Sequence, residues 1–150
     1  MKRRELLLAA GAALLPANLA AASPAKTLTV FKDPACGCCD GWVAHMRQAG
    51  FRVTVAAGDV YAAKERLGVP EDLASCHTAT VDGYVIEGHA PADAVRRLLA
   101  ERPAATGLAV PGMPAGSPGM EGGAPETYDV VVFGPRSRAT FGRYRETRAV

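Results

Sequence analysis

Once its first 22 residues are set aside, this chain has no surplus of charge of either sign. The full sequence carries 17 basic and 15 acidic residues; the leading segment holds three of the former and one of the latter, so 14 of each remain. That balance excludes a protein that grips nucleic acid through electrostatics. Arg136, Arg138, Arg143, Arg145 and Arg148 do gather near the C-terminus, and they read as a solvated tail or surface strand. Also lacking is an apolar run long enough to cross a bilayer, which takes ~20 residues. The run from Leu6 to Leu15 falls well short. Cysteine is scarce, with only four residues, and these are crowded instead of spread.

The first 22 residues have the layout of an export signal. Lys2, Arg3 and Arg4 give a positive start, the Leu6–Leu15 run follows, and Ala20-Ala21-Ala22 supplies the small residues of a cleavage site before Ser23. The Arg3-Arg4 pair ahead of Leu6, Leu7 and Leu8 also suggests a twin-arginine signal as the alternative to the general secretory route. Removal of this segment leaves residues 23–150, enough for one domain with its own core and no membrane attachment. The expected location is the periplasm.

Three cysteines fall within Cys36-Gly37-Cys38-Cys39, after a strand-like run and before a helical pattern. A bond between the neighbours Cys38 and Cys39, or across one glycine from Cys36 to Cys38, would close a small strained ring. The clustering therefore argues against structural disulfides, although an exported protein with four cysteines would ordinarily form two. Thiolates converging on one point suit a soft metal: Cu(I), Zn or an iron–sulfur centre. Unpaired N–H groups at a helix start favour the thiolate that such a metal needs. Cys76, beside His77, lies far along the chain.

The scaffold follows from periodicity. Residues 27–32 and 51–55 alternate as strands, and the apolar positions Trp42, Val43 and Met46 place a helix over 40–49, stopped by Gly50. Asp59 caps a second helix to about Leu67, with Gly68 beyond it. Residues 78–81 and 84–86 form a hairpin about Asp82-Gly83. Pro91 opens a third helix to Glu101, whose apolar face is Ala94, Val95, Leu98 and Leu99. The order βαβαββα over 27–101 is that of an α/β, thioredoxin-like fold, and its functional edge, outside the end of the first strand, is where the cysteines fall. In such a fold the segment before the third strand, here Cys76-His77, approaches the first helix's start. Residues 102–127 hold five prolines and six glycines and no regular pattern, whereas 128–133 and 139–141 read as strands. The expected organisation is a signal over 1–22, a metal-binding domain over 23–101, and an extension over 102–150 that folds back across the site.

That extension carries Met113 and Met120, each after Pro-Gly. Thioether ligates Cu(I) well and Zn poorly, which moves the expected metal toward copper, the alternative being a hydrophobic plug. His77 is a candidate ligand or supports one; His89, between hairpin and third helix, either ligates or caps that helix. His45 is expected along the side of the first helix.

The run Lys32-Asp33-Pro34-Ala35-Cys36-Gly37-Cys38-Cys39-Asp40-Gly41-Trp42 resembles the signature of the CopG-like copper-resistance family. The similarity continues through Ser75–Ala79, Gly83–His89, Gly107–Pro114 and Ser117–Glu121. It implies an exported thioredoxin-like domain with a C-terminal extension that binds copper through Cys36, Cys38, Cys39 and Cys76, with Met113, Met120 and a histidine in support. The expected function is copper resistance or homeostasis by a monomer that holds one or several Cu(I) ions, cycles them between Cu(I) and Cu(II), or exchanges them with other periplasmic copper-handling proteins. The chain departs from redox thioredoxins in having CxCC, read as distinct from CxxC, and no proline before Thr78. The alternatives are a thiol–disulfide oxidoreductase attacking through Cys36 or Cys39, and a module with structural zinc.

Overall fold

The structure, a computed structural model, describes residues 24–150. The expected signal segment over 1–22 lies outside the described residues. The elements run β1 (Thr27–Lys32), α1 (Gly37–Gln48), β2 (Arg52–Val55), α2 (Val60–Arg66), a 3₁₀ turn (Glu71–Leu73), β3 (His77–Val81), β4 (Tyr84–Glu87) and α3 (Ala92–Glu101). They continue with β5 (Gly107–Ala109), β6 (Thr127–Gly134), β7 (Ser137–Arg145) and β8 (Arg148–Ala149). Among the described residues these make a mixed α/β fold with three α-helices and one eight-stranded sheet, ordered β2-β1-β3-β4-β5-β6-β7-β8.

Strand β1 pairs in parallel with β2 and antiparallel with β3. Helix α1 is the connection between β1 and β2, as parallel neighbours require. The hairpin β3–β4 turns at Asp82 and Gly83, both at positive φ, as a tight hairpin turn demands. Asp59 caps α2 by accepting the Tyr61 N–H at 2.8 Å.

The C-terminal extension is more regular than its composition suggests. Strand β5 lies inside the stretch expected to be irregular, and pairs in parallel with β4 and antiparallel with β6. All three of its residues are buried, so no polar–apolar alternation marks it. The long β6–β7 hairpin then extends the sheet, with β8 at its far edge. The C-terminal arginines sit on or beside β7, where Arg138, Arg143, Arg145 and Arg148 are exposed.

Two apolar layers hold the sheet. On one side α1 contributes Trp42, Val43 and Met46, and α3 contributes Ala94, Val95 and Leu98, over Leu28, Val30, Ala79, Ile86, Leu108 and Val130. On the other, Leu73, Val85, Ala109 and Phe133 form a smaller cluster. Trp42 is wholly buried and its Nε1–H donates to the Ala90 carbonyl at 2.9 Å, which ties α1 to the segment leading into α3. A second tie runs from the Ala92 N–H to His45 Nε2 at 3.0 Å. His45 thus accepts one of the unpaired donors at the start of α3.

A buried ion pair fixes the second layer. Lys64 of α2 donates to Glu87 of β4 at 2.5 Å and to Thr78 Oγ1 of β3 at 2.9 Å. Thr78 Oγ1–H in turn donates to the other Glu87 oxygen at 2.6 Å, and the Ser75 N–H donates to the first, also at 2.6 Å. Burial pushes Glu87 above the ordinary carboxylate range, while Lys64, Thr78 and Ser75 pull it back.

Two outcomes follow for stability. Glu87→Gln leaves the Lys64 charge buried and unpaired, and should cost about 3–5 kcal/mol in urea unfolding; the Lys64→Met, Glu87→Leu double variant should lose clearly less. His45 is held below its usual value, chiefly by burial, with Glu121 and Asp93 opposing and Arg96 reinforcing. Below the unfolded value of about 6.5 the unfolded chain therefore binds more protons, so stability is present above that pH and lost as pH falls toward the lowered folded value. His45→Gln should flatten the fall in urea midpoint between neutral and mildly acidic pH relative to the wild type; an unchanged slope would remove His45 from the account.

Candidate metal centre

Helix α1 begins at Gly37, three residues before the expected start at Asp40, because glycine and cysteine carry no apolar period to mark the first turn. Cys36 is therefore the N-cap residue, and Cys38 and Cys39 lie in the first turn. Beneath them Lys32 Nζ, buried, donates to the Asp33 carbonyl at 3.0 Å and pairs with Asp40 at 3.0 Å. This fixes the turn on which the cysteines stand.

Cys36 and Cys39 form a disulfide. This corrects the expectation that the cluster excludes one. The expectation weighed Cys38–Cys39 and Cys36–Cys38 but not Cys36 with Cys39, whose spacing is CxxC and spans the first helical turn. Cys38 and Cys76 remain free thiols.

The structure brings all four cysteines together: their Sγ atoms lie within 4.8 Å of one another. Cys36 Sγ and Cys38 Sγ are 3.4 Å apart, and Cys38 Sγ and Cys76 Sγ 3.8 Å. Cys76 enters from the segment before β3, set by the Glu87–Ser75 hydrogen bond described above. It also belongs to a second group with His77 and His89, again within 4.8 Å. His89 Nε2 is 2.9 Å from Cys76 Sγ and His77 Nδ1 is 3.8 Å from it. One sulfur is shared by two donor sets.

The histidines are in ligand form. His89 Nδ1 lies 2.7 Å from the Pro118 carbonyl, which can only accept, so Nδ1 carries the proton and the Nε2 lone pair faces Cys76. Burial lowers the His89 pKa, with the Pro118 carbonyl and Glu121 opposing. His77 is fully buried, its ring 4.4 Å from that of Trp42 and 5.0 Å from that of His89. Burial holds it well below the usual value, with His89 and Lys64 adding to the effect. Its Nε2 is buried and makes no hydrogen bond among the described residues. Such an atom is costly unless something else engages it.

Cys76 is pushed up to about 11, first by burial and then by its hydrogen bond with Cys38 and that neighbour's charge, with Ser75 acting the other way. A bare thiolate is disfavoured here. A soft cation offsets that cost, and the donor set of thiolates plus neutral imidazoles fits one.

The extension reaches this site by backbone contact. Gly119, at φ 89°, lies against α1 so closely that a Cβ there would meet Trp42 N at 2.8 Å and the Cys38 carbonyl closer still. A Cβ on Gly41 would meet Gly119 Cα at 2.8 Å. The same loop delivers the Pro118 carbonyl to His89. Met120 follows, half-buried, whereas Met113 is 54% exposed. His45 stands apart, engaged with α3.

Sequence reasoning missed Ser75, Glu87, Lys64 and the Pro118 carbonyl. Ser75 Oγ–H donates to Gly112 O at 2.7 Å and lies 3.9 Å from Cys76 Sγ, so it joins the loop to the cysteine. A readable signal existed for Glu87 alone: a carboxylate at an inward position of a strand, two residues before His89.

Comparison with known proteins agrees with this geometry. Residues 73–120, which carry Cys76, both buried histidines and the loop to Met120, match a family described as "Protein of unknown function, DUF411". No curated protein sequence matches the chain. Two solved structures are similar: "Copper resistance protein copG- Form 2" at 42% identity and "Form 1" at 43%, each with a TM-score of 0.75. The alignments cover 80% and 81% of this chain and 98% of each of those. With that identity over nearly the whole length of those structures, the chain belongs to the CopG-like copper-resistance family.

Proposed function

We propose that this is an exported copper-binding protein of the periplasm, acting in copper resistance as a monomer that exchanges metal with other copper-handling proteins. The observation that carries the reading is the sharing of Cys76 between a four-sulfur group and a Cys–His–His group. Two donor sets joined through one thiolate suit more than one soft ion; Cu(I) and Zn both take thiolate with neutral imidazole, and the thioethers of the loop favour Cu(I). The relatives' titles name copper resistance, which supports the same metal.

In this reading residues 27–101 form a thioredoxin-like unit within a domain spanning 23–101, and residues 102–150 form the extension that closes over the metal. Cys36, Cys38, Cys39 and Cys76 supply thiolates. His89, oriented by Pro118, and His77, through the Nδ1 that lies 3.8 Å from Cys76 Sγ, supply imidazole. Met120, half-buried, and Met113, exposed, are the thioether donors on the loop. A site mixing thiolate with imidazole also admits Cu(II), so cycling between the two states belongs to the proposal.

A second reading has its own observation in favour. The Cys36–Cys39 disulfide at the start of α1 is the arrangement a thiol–disulfide oxidoreductase uses. Insulin reduction by the metal-free protein at rates near those of a dedicated reductase would favour it.

The test of the copper reading is Cu(I) affinity by competition with a chromophoric chelator under anaerobic conditions. Cys76→Ser should lower affinity by more than the ~10–100-fold typical of losing an outer-shell partner, since it removes a ligand from both groups. The Met113→Leu, Met120→Leu double variant should weaken Cu(I) and leave Zn unchanged. Stoichiometric zinc without copper, after growth in copper, would sink the proposal.

A further inference from the structure

We propose that the Cys36–Cys39 disulfide is a lock on the metal centre, which a dithiol reductant must open through Cys36 before the site takes up its full complement of copper. This rests on the copper reading above and adds the condition under which it operates. Three features of the structure carry it.

The first is the donor count. With the disulfide closed, the four-sulfur group presents only Cys38 and Cys76 as thiols. A sulfur already bonded to sulfur has no thiolate to offer, and thiolate is the form that ligates. Opening the bond doubles the available thiols without moving the backbone far, because all four sulfurs already lie within 4.8 Å. The locked and open forms therefore share one scaffold.

The second is access. Cys39 is wholly buried, whereas Cys36, at the N-cap, is half-buried beside the exposed residues Asp33, Pro34 and Ala35. An incoming thiolate reaches Cys36 Sγ first. It bonds to that sulfur, the Cys36–Cys39 bond breaks, and the electron pair leaves on Cys39 Sγ. The second thiolate of the reductant then attacks its own sulfur in the mixed disulfide, and that electron pair leaves on Cys36. Two electrons pass to the protein, the reductant ends as a disulfide, and two protons settle on Cys36 and Cys39 until metal displaces them. The partner is thus a dithiol, in one molecule, with a reactive pair exposed enough to meet an N-cap residue.

The third is that the free cysteines are poorly placed to open the lock from within. Cys38 Sγ is 3.4 Å from Cys36 Sγ, yet a Cys36–Cys38 bond closes across a single glycine and is strained. Attack by Cys38 or Cys76 on the bond would in any case exchange one disulfide for another among the four sulfurs and still leave two thiols. The electrons must come from outside.

The experiment compares the purified protein as isolated in its disulfide form with the same protein treated with dithiothreitol and desalted anaerobically. Thiol titration after denaturation should find two thiols in the first and four in the second. Cu(I) delivered from its bicinchoninate complex should load the reduced form to at least about twice the level of the disulfide form. Equal copper in both, with the loaded disulfide form still showing two thiols, overturns the lock and leaves the copper reading standing. No copper in either form overturns both. During partial reduction by a monothiol, acid quenching and peptide mapping should find the mixed-disulfide adduct on Cys36 and the freed thiol on Cys39; an adduct on Cys39 would overturn entry through Cys36.

Discussion

A buried carboxylate is the constraint on which the site depends. Glu87 is fully buried and bonded on both oxygens, to Lys64, Thr78 and the Ser75 main chain. A charge removed from water must find such partners, and it finds them only in one geometry. That geometry fixes the two residues that matter most on either side of it. Ser75 leads directly into Cys76, and Glu87 is two residues ahead of His89. The ion pair thus anchors the backbone on both sides of the 2.9 Å contact between Cys76 Sγ and His89 Nε2.

The opposite wall is built from glycine. Helix α1 carries two cysteines and a third at its N-cap but has no side chain at Gly41, and Gly119 of the extension uses that bare surface to approach the helix backbone. The approach places the Pro118 carbonyl on His89 Nδ1 and so selects the tautomer whose other nitrogen faces the sulfur. A side chain at either glycine would lift the loop and release the imidazole. The loop shapes the site through its backbone as much as through its methionines.

Much of this was legible in the sequence, for reasons that differ by element. Alternation placed β1, the Asp59 side chain placed α2, and Asp82-Gly83 placed the hairpin, because each signal is local. Strand β5 was not legible: three residues buried on both faces have no alternation to read. The early start of α1 was hidden by cysteine and glycine, which carry no periodicity. The convergence of Cys76 on the N-terminal cysteines was expected from topology, and the four sulfurs do meet. The disulfide was missed by reading Cys36-Gly37-Cys38-Cys39 as a crowd of neighbours, when its outer pair is separated by one helical turn. Glu87 carried a signal in its inward strand position that was not taken up, whereas nothing local in α2 marks Lys64 as the partner that will be buried with it.

Within the proposed copper reading, charge accounting favours more than one metal ion. Four thiolates carry four negative charges, and one cuprous ion would leave most of them uncompensated in a half-buried site. The surrounding protein offers little help. Lys64 is matched by Glu87, Lys32 by Asp40, and burial keeps both histidines neutral. A solitary ion would therefore sit in a strongly anionic pocket that burial already disfavours, as the raised Cys76 shows. In the copper reading proposed above, several cuprous ions would bring the site closer to neutrality than one would. The disulfide has a place in that reading: while it is closed the group holds only two thiols, and a reductant has to open it before metal can draw on all four sulfurs.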